Sequence, residues 1–251
     1  MKKILIFIGM ILFLGCDTED GNDCFQKAGK IIQTEVEVQN FSEIMVFERI
    51  KLYIQQGPEQ KVIIETGENL LNEVTAQVEG ERLILKNENS CNLVRDYEIT
   101  KIYVTTPNLT WLRSSTGIAI ESIGTLSFPD LYLLSVNEEL DPDIHTDGDF
   151  ILDLDVENLR ITNDNYSNYF LKGKVENFDA FFAGGDGRLE ASELIVQNYD
   201  IFHRGTNKLI VNPQQVLKGD IYSYGDVVSK NRPPEVDIEE HFKGKLIFDL
   251  D

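Results

Sequence analysis

The stretch richest in ligand chemistry is Asp141-Pro-Asp143-Ile-His145-Thr-Asp147-Gly148-Asp149. Counted as a calcium loop that begins at Asp143, it has carboxylates at the first, fifth and seventh places and Gly148 at the sixth, where such a loop turns sharply. His145 at the third place, and Leu154 at the twelfth instead of a bidentate Glu, break the pattern. Asp143, Asp147 and Asp149 are therefore candidate calcium ligands, and a plain polar corner is the competing reading. A second set has the residue types of a polysaccharide-cleaving site, which needs two carboxylates facing one another across a groove. Asp153 and Asp155 lie on one face of the run from Phe150 to Val156, and Asp179, Asp186, Arg188 and Arg204 follow. An acidic groove, however, repels anionic uronate substrates. His145, His203 and His241 are far apart in sequence, share no ligand spacing, and read as surface or corner residues. There is no Gly-x-Ser-x-Gly elbow, His-Glu-x-x-His pair, Gly-rich phosphate loop or Cys-x-x-Cys. No catalytic residue and no cofactor are expected.

Aromatic residues offer non-covalent chemistry instead. Phe170, Phe181, Phe182, Tyr199, Phe202, Tyr222 and Tyr224 crowd the later part of the chain. Strand alternation turns about half of such residues inward. The outward ones can form a stacking platform for a glycan or a protein partner. Phe182, Phe202, Tyr222 and Tyr224 are the candidate binding aromatics.

These side chains are positioned by a repeat. Val156-Glu-Asn-Leu159, Val175-Glu-Asn-Phe178 and Val196-Gln-Asn-Tyr199 start 19 and 21 residues apart, each followed by a β-prone run and a Gly/Asn/Asp-rich break. That period, without a helical stripe, predicts a β-solenoid whose coils bury one another's apolar faces. Asn158, Asn177 and Asn198 should stack on one corner and satisfy buried backbone groups. The repeats span residues 107–230, with breaks at 114–117, 137–143, 163–165, 183–187, 203–207 and 222–226. Residues 33–106 read as an irregular N-terminal β layer of short strands, with a helical turn between Glu68 and Glu73. Pro233-Pro234 stops the last coil, and residues 231–251 should return as a final strand or cap.

The chain has 251 residues and a formal charge of −20, with 42% hydrophobic residues, enough for a sizeable core. Nucleic acid is a poor partner for so acidic a surface. Met1-Lys2-Lys3 followed by an apolar run from Ile4 to Leu14 has the form of a signal peptide, too short to span a bilayer comfortably. It ends at Gly15-Cys16, which resembles the lipobox of bacterial lipoproteins, although Phe13 and Leu14 depart from the usual residues. That resemblance implies removal of residues 1–15 and lipidation of Cys16, including palmitate-type acyl chains. An ordinary secretory peptide is the alternative. Loss of Lys2 and Lys3 would take the charge from −20 to −22. Residues 16–32 then hold the lipidated Cys and a flexible tether, with the acidic run Asp17 to Asp23. Such a run resembles the surface-export signal of Bacteroidetes-type lipoproteins, whereas Asp directly after the Cys retains enterobacterial lipoproteins at the inner membrane. With Cys16 lipidated, Cys24 and Cys91 are left as an even pair and are expected to form a disulfide in an oxidising envelope. A free nucleophilic Cys91 is the alternative.

From Phe41 to Val228 the chain resembles the head GIN domain family of auto-transporter adhesin-like proteins. The residues that carry this are Phe41-Ser-Glu-Ile44, Ile50-Lys-Leu-Tyr-Ile54 with Gln56-Gly57, Val62-Ile-Ile64, Asn69-Leu-Leu71, Leu83-Ile-Leu85, Ile102-Tyr-Val104 with Pro107-Asn-Leu109, and Gly219-Asp-Ile-Tyr-Ser-Tyr-Gly225. The family's Ser-Gly-Ser-Gly corners are degenerate here. The resemblance implies an all-β, right-handed parallel β-helix and no established enzymatic activity. Three functions are compatible with it: a lipid-anchored, outer-membrane or surface-exposed binding or adhesin-like module, a structural component of the envelope, and a carbohydrate-active enzyme. A contiguous outward aromatic strip would favour the first.

Overall fold

The computed structural model describes residues 26–89, 98–137 and 144–250. Cys16, Cys24, Cys91 and Asp143 lie outside the described residues. Within them the chain is all-β, apart from a 3-10 turn at Leu71–Glu73. The first strands are short: β1 (Ile31–Val36), β2 (Glu43–Val46), β3 (Lys51–Gln56), β4 (Lys61–Gly67), β5 (Val74–Glu79), β6 (Arg82–Asn87) and β7 (Lys101–Thr106). β8 (Trp111–Ser114), β9 (Ile120–Leu126) and β10 (Asp130–Ser135) follow. Three long strands, β11 (Phe150–Asn163), β12 (Tyr169–Phe182) and β13 (Leu189–His203), occupy the middle. β14 (Leu209–Val211), β15 (Pro213–Ile221), β16 (Val227–Ser229), β17 (Glu235–Glu240) and β18 (Leu246–Phe248) complete the chain.

Most pairing is parallel and falls into two ladders. The first runs β6, β2, β8, β10, the second halves of β11, β12 and β13, then β15 and β17. The second runs β7, β3, β9, the first halves of β11, β12 and β13, then β14, β16 and β18. One strand from each ladder makes a rung, and the described residues form nine. Inward side chains of both ladders join in one apolar core that includes Ile44, Leu112, Leu152, Ile161, Leu194 and Leu217.

The repeated tetrapeptide explains how a single strand serves both ladders. In Val156-Glu-Asn-Leu159 the Val and Leu are buried while Glu157 and Asn158 are both exposed. Two successive outward residues break the two-residue alternation once, and there the strand bends from one ladder into the other. The three copies stand directly over one another: Val156 pairs with Val175 and Val175 with Val196, Leu159 with Phe178 and Phe178 with Tyr199. Their asparagines do stack, but on the outside and with a different partner from the one expected. Asn158 Nδ2 donates to Asp130 Oδ1 at 2.9 Å, Asn177 Nδ2 to Asn158 Oδ1 at 2.9 Å, and Asn198 Nδ2 to Asn177 Oδ1 at 3.0 Å. The links are amide to carboxylate and then amide to amide, and only Asn198 also reaches a backbone group, the Glu176 carbonyl at 3.5 Å.

Residues 33–106 supply both rungs and edge strands. β2 and β3 form the second rung and β6 and β7 the first, so that β2 lies between β6 and β8. The remaining strands run antiparallel on the outer edge of that first rung: β5 on β6, β4 on β7 and β1 on β4. They cover an edge that would otherwise present unpaired backbone. At the opposite end β17 pairs with β15 and β18 with β16, both in parallel, to make the ninth rung. Val236, Phe242, Ile247 and Leu250 there are exposed.

Candidate binding face

In-register parallel stacking turns each outward position of a repeat into a column, with neighbours about 4.8 Å apart. On the first ladder one column runs Arg82, Glu43, Trp111, Tyr132, Arg160, Asp179, Asp200, Lys218, Asp237. Its charges interleave. Arg82 lies 2.7 Å from Glu43 and its guanidinium 4.2 Å from the Trp111 ring centre. Arg160 lies 5.2 Å from the Tyr132 ring and 3.4 Å from Asp179, and Lys218 lies 3.0 Å from Asp200. Exposed pairs of this kind add little stability, but they leave a face that is polar and locally near neutral on an acidic protein.

The next column runs Phe181, Phe202, Asp220, Glu239, and an aromatic strip crosses from its rings to Tyr222 and His241, each two residues further along the chain than Asp220 and Glu239. Phe181 stacks on Phe202 with ring centres 4.5 Å apart, Phe202 meets Tyr222 at 5.2 Å, and Tyr222 stacks on His241 at 4.1 Å with an interplanar angle of 3°. At the adjoining corner Tyr224 meets Phe242 edge-on, with Lys243 over both rings. Tyr222 is 40% exposed and Tyr224 57%. Beside the strip lies a groove of about 420 Å³ lined by Tyr132, Asn158, Arg160, Asp179, Asn198, Asp200 and Lys218, among others. Asn158 and Asn177 each use one N–H toward a neighbour, which leaves a second donor for a ligand, while Asn198 also donates to the Glu176 carbonyl at 3.5 Å. Partial burial raises the pKa of Asp179, Arg160 opposes that rise, and Asp200 adds to it.

Phe182, expected as a binding aromatic, is fully buried, with its ring edge-on to Tyr169 and His203. The outward ring is its neighbour Phe181. Counting alternation from Val175-Glu-Asn-Phe178 would have found this: with Phe178 inward, Ala180 and Phe182 are inward too. Phe202 is half-buried and faces out, Phe170 is exposed on the second ladder, and Tyr199 is core.

Of the calcium candidates, Asp147 is exposed, and Asp149 Oδ1 accepts a hydrogen bond from Asn168 Nδ2 at 2.9 Å across a corner. The carboxylates considered for catalysis have cross-rung or local partners. Asp153 lies 3.4 Å from Lys172, Asp155 lies 3.1 Å from Lys174, and Asp186 accepts from Thr206. Arg188 pairs with Glu190, and Arg204 donates to the Ala183 carbonyl. His145 contacts Glu48. His203 is buried with Nε2 2.9 Å from the Asn207 carbonyl, and burial lowers its pKa. Trp111, Tyr132, Arg160 and His241 were not singled out from sequence, because their columns exist only once the rungs are in register.

A family model described as "Putative auto-transporter adhesin, head GIN domain" matches residues 40–233. Among solved structures, a putative adhesin from Bacteroides fragilis is similar over 89% of this chain and 99% of that one, with a TM-score of 0.76 and 16% identity. A putative adhesin from Parabacteroides distasonis covers 89% and 99%, with a TM-score of 0.64 and 15% identity. A putative lipid binding protein, also from Parabacteroides distasonis, covers 87% and 97%, with a TM-score of 0.59 and 15% identity. At these identities the likeness is one of fold. A search of curated proteins returned no match.

Proposed function

The chain belongs to the head GIN domain family, and from that premise we propose that it is a lipid-anchored binding module of the bacterial cell envelope that holds an extended glycan on its first ladder without cleaving it. The observation that carries this reading is the outward strip Phe181, Phe202, Tyr222, His241 beside the groove of amides and paired charges. Flat rings stack on the apolar faces of sugars, and a row of amides and ion-paired side chains exchanges hydrogen bonds with hydroxyl groups. The columns repeat along the stack, which suits a ligand that is itself a repeating polymer. In this reading the two ladders wind as a right-handed parallel β-helix, the hand that parallel crossover connections favour. Cys16 carries the lipid, the acidic run Asp17 to Asp23 is the tether, and the outer membrane, surface-exposed, is the location.

A disulfide between Cys24 and Cys91 belongs to the same proposal. Two residues after Cys24, Gln26 donates from Nε2 to the Asn69 carbonyl at 2.8 Å. Two residues before Cys91, Asn89 donates from Nδ2 to the next carbonyl, Leu70, at 3.0 Å. The chain is thus tied to one turn on either side of the pair, which supports the bridge. Non-reducing peptide mapping should recover a linked Cys24–Cys91 peptide, and reduction should cost about 3–4 kcal/mol of stability. Two free thiols in the mature protein would contradict it.

The binding reading is tested with the chain from Asp17 onward on a panel of glycans, measuring both retention and product release. Retention without new products is expected. Phe202→Ala with Tyr222→Ala should weaken it tenfold or more, as removal of central stacking rings costs about 2 kcal/mol. Phe170→Ala, on the other ladder, should leave it unchanged. Equal loss from Phe170→Ala would remove the strip from the argument. Product release would favour a second reading, a carbohydrate-active enzyme. The observation for that reading is that Asp179 and Asp200 stand directly opposite between Arg160 and Lys218.

A further inference from the structure

We propose that Asp220, Glu239 and His241 form a binding site for a zinc-class dication at the last two rungs. In-register pairing of β15 with β17 sets Asp220 directly opposite Glu239. Like charges in that relation repel. Elsewhere on this face a basic side chain one rung away relieves such crowding, as Arg160 does for Asp179 and Lys218 for Asp200. Among the described residues no lysine or arginine lies within ion-pair distance of Asp220 or Glu239. Their shared neighbour is His241, whose Nε2 is 2.6 Å from Asp220 Oδ1 and 3.8 Å from Glu239 Oε2.

The imidazole is held for this role. Its ring lies flat on Tyr222, 4.1 Å between centres, with Nε2 turned to the carboxylates. One ligand atom from each of the three residues lies within 4.8 Å of the others, the one such trio of His, Cys, Asp or Glu among the described residues. Zinc bonds of about 2.0–2.2 Å to nitrogen and oxygen place tetrahedral ligands roughly 3.3 Å apart. Small side-chain rotations therefore close the trio on an ion. A dication removes the repulsion between the carboxylates and leaves a coordination position open to water or to a ligand. An imidazole with two carboxylates selects zinc and its first-row neighbours over calcium and magnesium, which prefer all-oxygen sets.

The site shares His241 with the aromatic strip but needs no glycan, and the metal alone is the probe. Isothermal titration of zinc chloride into the chain from Asp17 onward should saturate with an affinity that His241→Ala and Asp220→Asn each lower tenfold or more. Glu235→Gln and Asp237→Asn, acids on the same strand that are outside the trio, should change it less than twofold. Cobalt should give visible absorption bands that His241→Ala abolishes. Thermal denaturation without metal checks that the variants are folded, and His241→Gln, which keeps a planar group on Tyr222, substitutes if the alanine variant is not. Absence of saturable binding, affinity indifferent to His241, or equal losses from Asp237→Asn would each overturn the proposal, the last by showing diffuse attraction to an acidic surface.

Discussion

Gly219→Ala is expected to remove about 3–5 kcal/mol of stability, a large part of what a domain of this size has. Gly219 lies within β15 opposite Ile201 with φ of +126°, a conformation side chains rarely adopt. A Cβ there would sit 1.9 Å from the Ile201 carbonyl oxygen and 2.7 Å from its carbon. Those atoms are backbone of the preceding rung and cannot swing away, so the rungs must part. Strained backbone of this kind costs about 1–3 kcal/mol, and overpacking a further 1–3 kcal/mol. Gly173 repeats the arrangement on the second ladder, three rungs earlier, with φ of +105° and a would-be Cβ 2.1 Å from the Leu154 oxygen. Gly80 supplies the contrast: its φ is +65°, yet nothing lies within 4 Å of the added carbon. Gly80→Ala should therefore lose only about 1 kcal/mol. Urea midpoints of the three variants check this, and a Gly219→Ala loss no larger than that of Gly80→Ala would refute close rung contact as the cause.

Cys16→Ser is expected to move the protein from the membrane to the soluble fraction almost completely. Each buried methylene of an acyl chain contributes about 0.8 kcal/mol, so the several chains of a lipoprotein anchor far exceed what one chain provides. Among the described residues no helix is long and apolar enough to cross a membrane. Eleven apolar residues from Ile4 to Leu14, if retained, are also too few to span a bilayer. Cell fractionation of wild type and variant, with metabolic labelling by a fatty acid, measures both parts of the expectation. Tight membrane association of an unlabelled Cys16→Ser protein would end the anchor proposal.

Local chemistry made much of this protein legible. Period-two alternation located the short strands to within a few residues, as in Lys51–Gln56 and Lys101–Thr106. The recurring Val-(Glu/Gln)-Asn tetrapeptide revealed the coil length, because each coil must supply the same buried pair and the same outward pair at its bend. Family membership was readable from an ordered set of such segments. Four aromatics were selected as binding candidates, and three of them face outward: Phe202, Tyr222 and Tyr224.

What the chain could not disclose locally is whatever depends on which rung lies over which. The order β6, β2, β8 is a matter of long-range pairing, and no residue pattern within β2 says that it will sit between strands 39 and 68 positions later. The aromatic strip and the charge column draw one residue from each of several coils, and the trio joins Asp220 of one coil to Glu239 and His241 of the next. Residues that meet this way are about one coil length or more apart in sequence and one strand spacing apart in space. Side-chain type and alternation are properties of a few neighbouring residues, so the strands, their inward faces and the bend of each repeat follow from local pattern. Register between coils is set by packing of the shared core, so which outward residues meet, and with them where a ligand can be held, emerges only when the whole chain is folded.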